Sequence, residues 1–229
     1  MGDKYYVMNK KSDDEGNISI FGDIGDSWWS EGVTAKDFKK DLESLGNVKV
    51  LNIDINSPGG SFFEGLAIYN MLKNHTATKK MVVLGLAASA ASTIAMAGDE
   101  ISMSEDAYIM IHNARMMAGG DKNDMLKASE ELSKFDKTIA NIYAKKTGKT
   151  EEELLNLMAD ETWMNGKDAM DMGFIDKLTE AKKAAAHFDP KQFKNTPNKL
   201  IQAGRVVSTA GSIIDMYHEE LSLIKRRVL

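Results

Sequence analysis

Ser89 stands among Ala87, Ala88, Ala90 and Ala91, behind the apolar run Met81–Leu86 and ahead of the small-residue stretch Ser92–Gly98. A strand that hands over to a helix through residues this small leaves one hydroxyl at the turn with nothing bulky beside it, which is how a nucleophile is presented. A serine hydroxyl attacks only when a base takes its proton. His112, at the end of a second apolar run, Ala107–Ile111, carries an imidazole whose ordinary pKa of about 6.5 suits that task. The tetrahedral intermediate then needs backbone N–H donors, and Gly60 of Pro58-Gly59-Gly60 and Ala90, the residue after Ser89, are the candidates. A carboxylate that holds the imidazole tautomer is the third requirement. Each feature also has a plain structural reading: a Pro-Gly-Gly turn, a helix N-cap at Ser89 bonding near Ser92, a satisfied histidine at a strand end. Their shared position at strand ends, where open α/β sheets place their sites, favours the chemistry.

The pattern around them supplies the elements. Ile18–Gly22 reads as a short strand, and Thr34 caps a helix from Ala35 to Leu45 with Phe38, Leu42 and Leu45 on one face. Val48–Ile55 alternates and is rich in β-branched residues, and the cluster Asn56–Gly60 reads as a turn that stops it. Ser61 with Glu64 forms a capping box for a helix that buries Leu66, Ile68, Tyr69 and Leu72. Met81–Leu86 is a strand, the alanine-rich segment a helix, and Ala107–Ile111 a strand. Alternation of this kind predicts an α/β fold with a largely parallel sheet and right-handed crossovers. Beyond a loop at Met116–Asp121, Asn123–Lys146 is a long amphipathic helix with Met125, Leu132, Phe135, Ile139, Ile142 and Tyr143 as its ridge. Thr150 with Glu153 caps a helix to Met158, and Glu161–Met164 is a short connecting segment. A capped helix, Asn165–Met172, and a strand, Phe174–Asp176, follow. The folded domain is expected to span 1–178. Residues 179–198 hold Pro190 and Pro197 and read as a linker, and 199–229 is a tail that fits either a helix or disorder.

With 229 residues, 43% hydrophobic and 28% charged, the chain suits one good core plus an appendage. A net charge of −5 and four scattered arginines, at 115, 205, 226 and 227, argue against a nucleic-acid partner. There is no cysteine for disulfides, thiolate metal sites or a thiol nucleophile, which fits the cytoplasm. Met1–Lys11 lacks an apolar signal core, and no run approaches the ~20 residues of a membrane span. No GxxxxGK loop is present, so any use of ATP must come from a partner. The 15 methionines read as core and interface packing, and Trp28 and Trp29 as an oligomer-facing or buried pair. No metal or organic cofactor is expected.

The ordered set INSPGG (55–60), GLAASAAS (85–92), MIHN (110–113) and ETWMNGKDAMDMGFID (161–176) resembles the proteolytic subunit of the Clp protease family. FGDIGDSWW (21–29), GVTAKDF (32–38) and ETW (161–163) look more like its phage and prophage branch, the head maturation proteases. The resemblance implies a ClpP/crotonase-like fold of repeated β-β-α units with a long handle helix. It implies a serine endopeptidase with Ser89 as nucleophile, His112 as base and an acidic residue opening the ETW segment as third member. It further implies homo-oligomeric rings, heptamers or stacked tetradecamers. The substrates would be polypeptides: capsid or scaffold proteins in the phage branch, or unfolded proteins delivered by an ATPase partner in the cellular one. One departure concerns the carboxylate. Glu161 stands where the family usually has Asp, and Asp160 beside it is the alternative.

Three rivals remain at this level. Crotonase relatives bind a thioester oxyanion without a nucleophilic serine. Serine–lysine peptidases would recruit Lys79 or Lys80 as base. An inactive ring-forming subunit would need no chemistry at all.

Overall fold

The computed structural model describes residues 6–26, 32–180, 189–198 and 200–201. Trp28, Trp29, part of the linker and the tail beyond Ile201 lie outside them. The chain divides into two compact units, Met1–Ala186 and His187–Leu229. In the second, the described residues hold one 3-10 turn, Pro190–Gln192, whose Pro190 carbonyl accepts from Thr196 Oγ1 at 2.9 Å.

In the first unit the strands are β1 (Tyr6–Lys10), β2 (Glu15–Ile24), β3 (Val50–Gly60), β4 (Thr78–Ala88), β5 (Glu100–Ser104), β6 (Tyr108–Ile111), β7 (Thr162–Asn165) and β8 (Lys177–Thr179). The helices are α1 (Ala35–Ser44), α2 (Phe62–Asn74), α3 (Ala90–Ala95), α4 (Lys122–Thr147), α5 (Glu151–Ala159) and α6 (Gly166–Asp171). The sheet runs β1-β2-β3-β4-β5-β8, with β6 paired to β4 and β7 to β6. The β2-β3-β4-β5-β8 run and the β4–β6 pair are parallel, while β1–β2 and β6–β7 are antiparallel. The parallel α/β architecture expected from the sequence is therefore the one observed.

Alternation decides the core. Leu51, Ile53 and Ile55 of β3 are buried together with Phe38 and Leu42 of α1 and Ile68 and Leu72 of α2. The intervening β3 residues are only half-buried, and there Asn52 Nδ2 donates to Asn17 Oδ1 at 3.2 Å across the strand pair. Thr34 caps α1 as expected, accepting from Asp37 N–H. Only half of the Ser61/Glu64 capping box forms: Ser61 Oγ accepts from Glu64 N–H, while the Glu64 carboxylate accepts from the N–H of Ala35 and so ties α2 to α1.

Asn56–Gly60 is strand, in contrast to the expected turn. Pro and Gly are tolerated here because the register slips at this point, Phe21 pairing with Asn56 but Asp23 with Gly59. A second slip, between Ile55/Val83 and Ser57/Ala87, gives β4 two residues more than β3. Here β4 also changes partner: Lys80–Val83 pair with β5, Leu86–Ala88 with β6. The last residues of β4 are thus held against the strand that carries His112.

The long helix is as expected, closed by a capping box at Asp121 and a left-handed Gly148. Its ridge, however, is covered only toward the C-terminus. Ile139, Ile142 and Tyr143 are buried, whereas Met125 and Leu126 remain exposed, as do Met117 before the helix and Phe63 on α2. Phe174 and Ile175, expected to open a strand, are buried in the connection to β8 instead.

Candidate active site

Ser89 is the joint between β4 and α3. Its backbone has φ 53° and ψ −125°, outside the regions open to ordinary L-residues, a strain of order 1–3 kcal/mol that persists only where the surroundings enforce it. They do. The Ser89 N–H donates to Met110 O on β6 (2.9 Å), and its carbonyl accepts from Ser92 N–H (3.0 Å) and Ser92 Oγ (2.6 Å). Ser92 Oγ in turn meets the Tyr143 hydroxyl at 2.7 Å, and Thr93 Oγ1 meets it at 3.3 Å, so α4 braces the turn from below. Burial pushes the Tyr143 hydroxyl above its ordinary pKa despite these bonds, so it acts as a neutral brace.

The Ser89 side chain makes no cap bond to α3. Its Oγ lies 2.7 Å from His112 Nε2 instead. The N-cap reading of this serine therefore fails, and Ser92 carries the local bonding assigned to it.

The glycines divide their duties. A Cβ on Gly59 would sit 2.5 Å from Ala88 O, 2.7 Å from Ser89 Cβ and 2.9 Å from Ala90 N. Gly59 is thus the point of closest approach of β3 to the serine turn. Gly60, φ +147°, instead lies against Ile24, where a Cβ would be 2.2 Å from the carbonyl. Ala90 opens α3 beside the serine and is buried. Gly65 on α2 completes the contact, since a Cβ there would meet the Ala90 methyl at 2.9 Å.

β6 and β7 pair antiparallel from Tyr108↔Asn165 to Ile111↔Thr162, so His112 and Glu161 each lie one residue beyond the last pair. Glu161 has a left-handed φ of 51° and is 4% exposed, whereas Asp160, the C-cap of α5, is exposed. One Glu161 oxygen accepts from Arg115 Nη2 at 2.7 Å and the other from Trp163 Nε1 at 3.3 Å. Sequence reasoning missed both donors. Trp163 follows Glu161 by two residues and reaches it locally, whereas Arg115 is 46 residues away and meets it only where β6 and β7 run side by side. It also missed Asp136 of α4, which accepts the Ala114 N–H at 2.7 Å; burial pushes this carboxyl up, and the N–H pulls it partly back.

Lys79, the rival base, opens β4 ten residues before Ser89 and is committed elsewhere. Its ammonium is 8% exposed, 3.0 Å from Asp99 and 3.2 Å from the His75 carbonyl. Among the described residues no group of His, Asp and Glu is arranged to hold a metal ion, and no helix is long and apolar enough to cross a membrane.

The profile of the Clp protease family matches residues 6–182. The ATP-dependent Clp protease proteolytic subunit of Streptococcus mutans is 33% identical over 143 residues, 61% of this chain and 73% of that protein. That of Mesostigma viride is 32% identical over 139 residues, 60% of this chain and 61% of its own length. Among solved structures, a point mutant of ClpP1 from Listeria monocytogenes superposes with a TM-score of 0.62 at 26% identity, covering 72% of this chain and 91% of that one. The fold is ClpP-like, and the chain belongs to the Clp protease family as a ClpP-like serine peptidase.

Proposed function

We propose that the chain hydrolyses peptide bonds through Ser89, His112 and Glu161. The observation that carries this reading is the 2.7 Å approach of Ser89 Oγ to His112 Nε2 from a backbone turn that frees the hydroxyl from any capping role. In the reaction, Ser89 Oγ–H donates to neutral His112 Nε2 as Oγ attacks the scissile carbonyl. The imidazolium then protonates the leaving amine, and water repeats the sequence on the acyl-enzyme. The Ala90 and Gly60 N–H groups serve as donors to the oxyanion, each worth roughly 2.7–4 kcal/mol in the transition state. Glu161 orients His112 and stabilises its charged form; its burial, one residue before the strand that pairs with β6, favours it over exposed Asp160.

For substrate, the names of the relatives favour the cellular reading, a proteolytic subunit that degrades unfolded proteins handed over by an ATPase partner. The head-maturation reading, in which capsid or scaffold proteins are cut, rests on the segments at 21–29, 32–38 and 161–163. The uncovered ridge of α4 at Met125 and Leu126, with Met117 and Phe63, supports association with further copies, for which the resemblance to the Clp family implies homo-oligomeric rings of seven or fourteen chains. Cleavage of an unfolded protein that requires a Clp ATPase supports the first substrate class. Unaided, site-specific cleavage of a capsid or scaffold protein supports the second, and light scattering that finds a stable monomer at micromolar concentration removes the ring.

A further inference from the structure

The segment that leaves His112 is tied down residue by residue. Asn113 N–H donates to Met158 O (3.2 Å), Ala114 N–H to Asp136 Oδ1 (2.7 Å), and Arg115 Nη2 to Glu161 Oε2 (2.7 Å). Met158 O also accepts the Glu161 N–H (3.1 Å), so the segment after the base and the turn that bears the carboxylate share one acceptor. The pair is asymmetric: the Arg115 side chain is 45% exposed and that of Glu161 only 3%. A carboxylate this buried stays charged only when paired, and a guanidinium that never deprotonates is a pairing that holds at any working pH. Arg115 thus holds one carboxylate oxygen and Trp163 the other.

We propose that Arg115 is a positioning residue, which keeps Glu161 charged and oriented behind His112 and so sets the acid limb of the activity. The inference rests on the Ser89-His112-Glu161 reading. Without the guanidinium, Glu161 is neutralised more readily on acidification, and the anion that persists stabilises the imidazolium without a counter-charge. Both effects move the loss of activity to higher pH. Among the described residues, Asp136 on α4 accepts the Ala114 N–H, and Asp160, the C-cap of α5, immediately precedes Glu161.

The test is the pH profile of kcat and KM for a fluorogenic peptide, measured on the full-length protein. Arg115→Met is expected to raise the acid limb by about one pH unit and to lower kcat with KM little changed. Arg115→Lys, which keeps the charge, returns the limb toward the wild-type position, and Arg115→Met adds no shift in a Glu161→Gln background. Asp136→Asn leaves the Arg115→Met shift in place. The inference is overturned if Arg115→Met leaves the limb unmoved while Glu161→Gln is impaired. It is equally overturned if the change falls in KM alone, if the shift survives in Glu161→Gln, or if Arg115→Lys behaves as Arg115→Met with an equally lowered melting temperature. Wild-type kcat in Glu161→Gln would instead overturn the triad reading itself, and this inference with it.

Discussion

The N–H of Ser89 donates to the carbonyl of Met110 at 2.9 Å, two residues before the histidine that reaches the Ser89 hydroxyl. One backbone bond therefore sets the spacing of both reactive side chains. It exists because β4 exchanges β5 for β6 at Leu86, after a register slip that gives β4 two extra residues. The strained serine turn is held by strand pairing on one side and by Ser92, Thr93 and Tyr143 on the other.

Gly59→Ala tests the approach of β3. The new methyl would lie under 3 Å from Ala88 O, Ser89 Cβ and Ala90 N, at a φ of +93°. Backbone cannot yield as a side-chain tip can, so peptidase activity is expected to fall at least about a hundredfold, with a loss of roughly 1–3 kcal/mol in stability. Peptide cleavage and thermal melting report the two effects, and near-normal activity would show that the approach is not needed.

Tyr143→Phe removes the hydroxyl that meets Ser92 Oγ and Thr93 Oγ1. Two buried hydroxyls lose a partner, at a cost of about 1–3 kcal/mol in urea unfolding. The serine turn also loses a brace, so the kcat should drop while the fold persists. Unchanged stability would place the support elsewhere.

Lys79→Met separates the histidine mechanism from a lysine one. The variant is expected to lose about 1–3 kcal/mol of stability, because Asp99 and the His75 carbonyl lose a charged partner. Its kcat per folded molecule should stay within about twofold of wild type. Loss of catalysis without loss of stability would make Lys79 the base.

Asp136→Asn gives a pH signature. Burial raises the folded-state pKa of this carboxyl above its unfolded value. Its protonated form thus contributes stability that is fully present below about pH 4 and is lost as the pH rises through the folded value. Asparagine has no such titration. The melting temperature of the variant should therefore gain on wild type between pH 4 and pH 7, and a difference constant with pH would contradict the assignment.

The sequence showed the chemistry more clearly than the elements around it. Ser89 and His112 were legible because a small-residue turn and a strand-end imidazole both follow apolar runs, and pairing β4 with β6 is enough to bring them together. Asn56–Gly60 was misread because Pro and Gly signal turns locally, whereas the strand absorbs them in register slips against both β2 and β4. The edge strand β1 and the short β5 were missed: the first is five residues long and mostly half-buried or exposed, and the second buries Ser102 and Ser104 where an apolar alternation would be sought. Arg115 carried no local signal at all, since its meaning depends on Glu161, 46 residues away and brought near where β6 and β7 pair antiparallel.

The most direct test of the central claim is labelling of the full-length protein with a fluorophosphonate, read by peptide mass mapping beside a peptide-cleavage assay. A single adduct on Ser89 is expected, abolished in Ser89→Ala and slowed by several orders of magnitude in His112→Ala, with cleavage lost in parallel. An adduct on another residue, or a Ser89→Ala variant that still cleaves peptide at the wild-type rate, would contradict it.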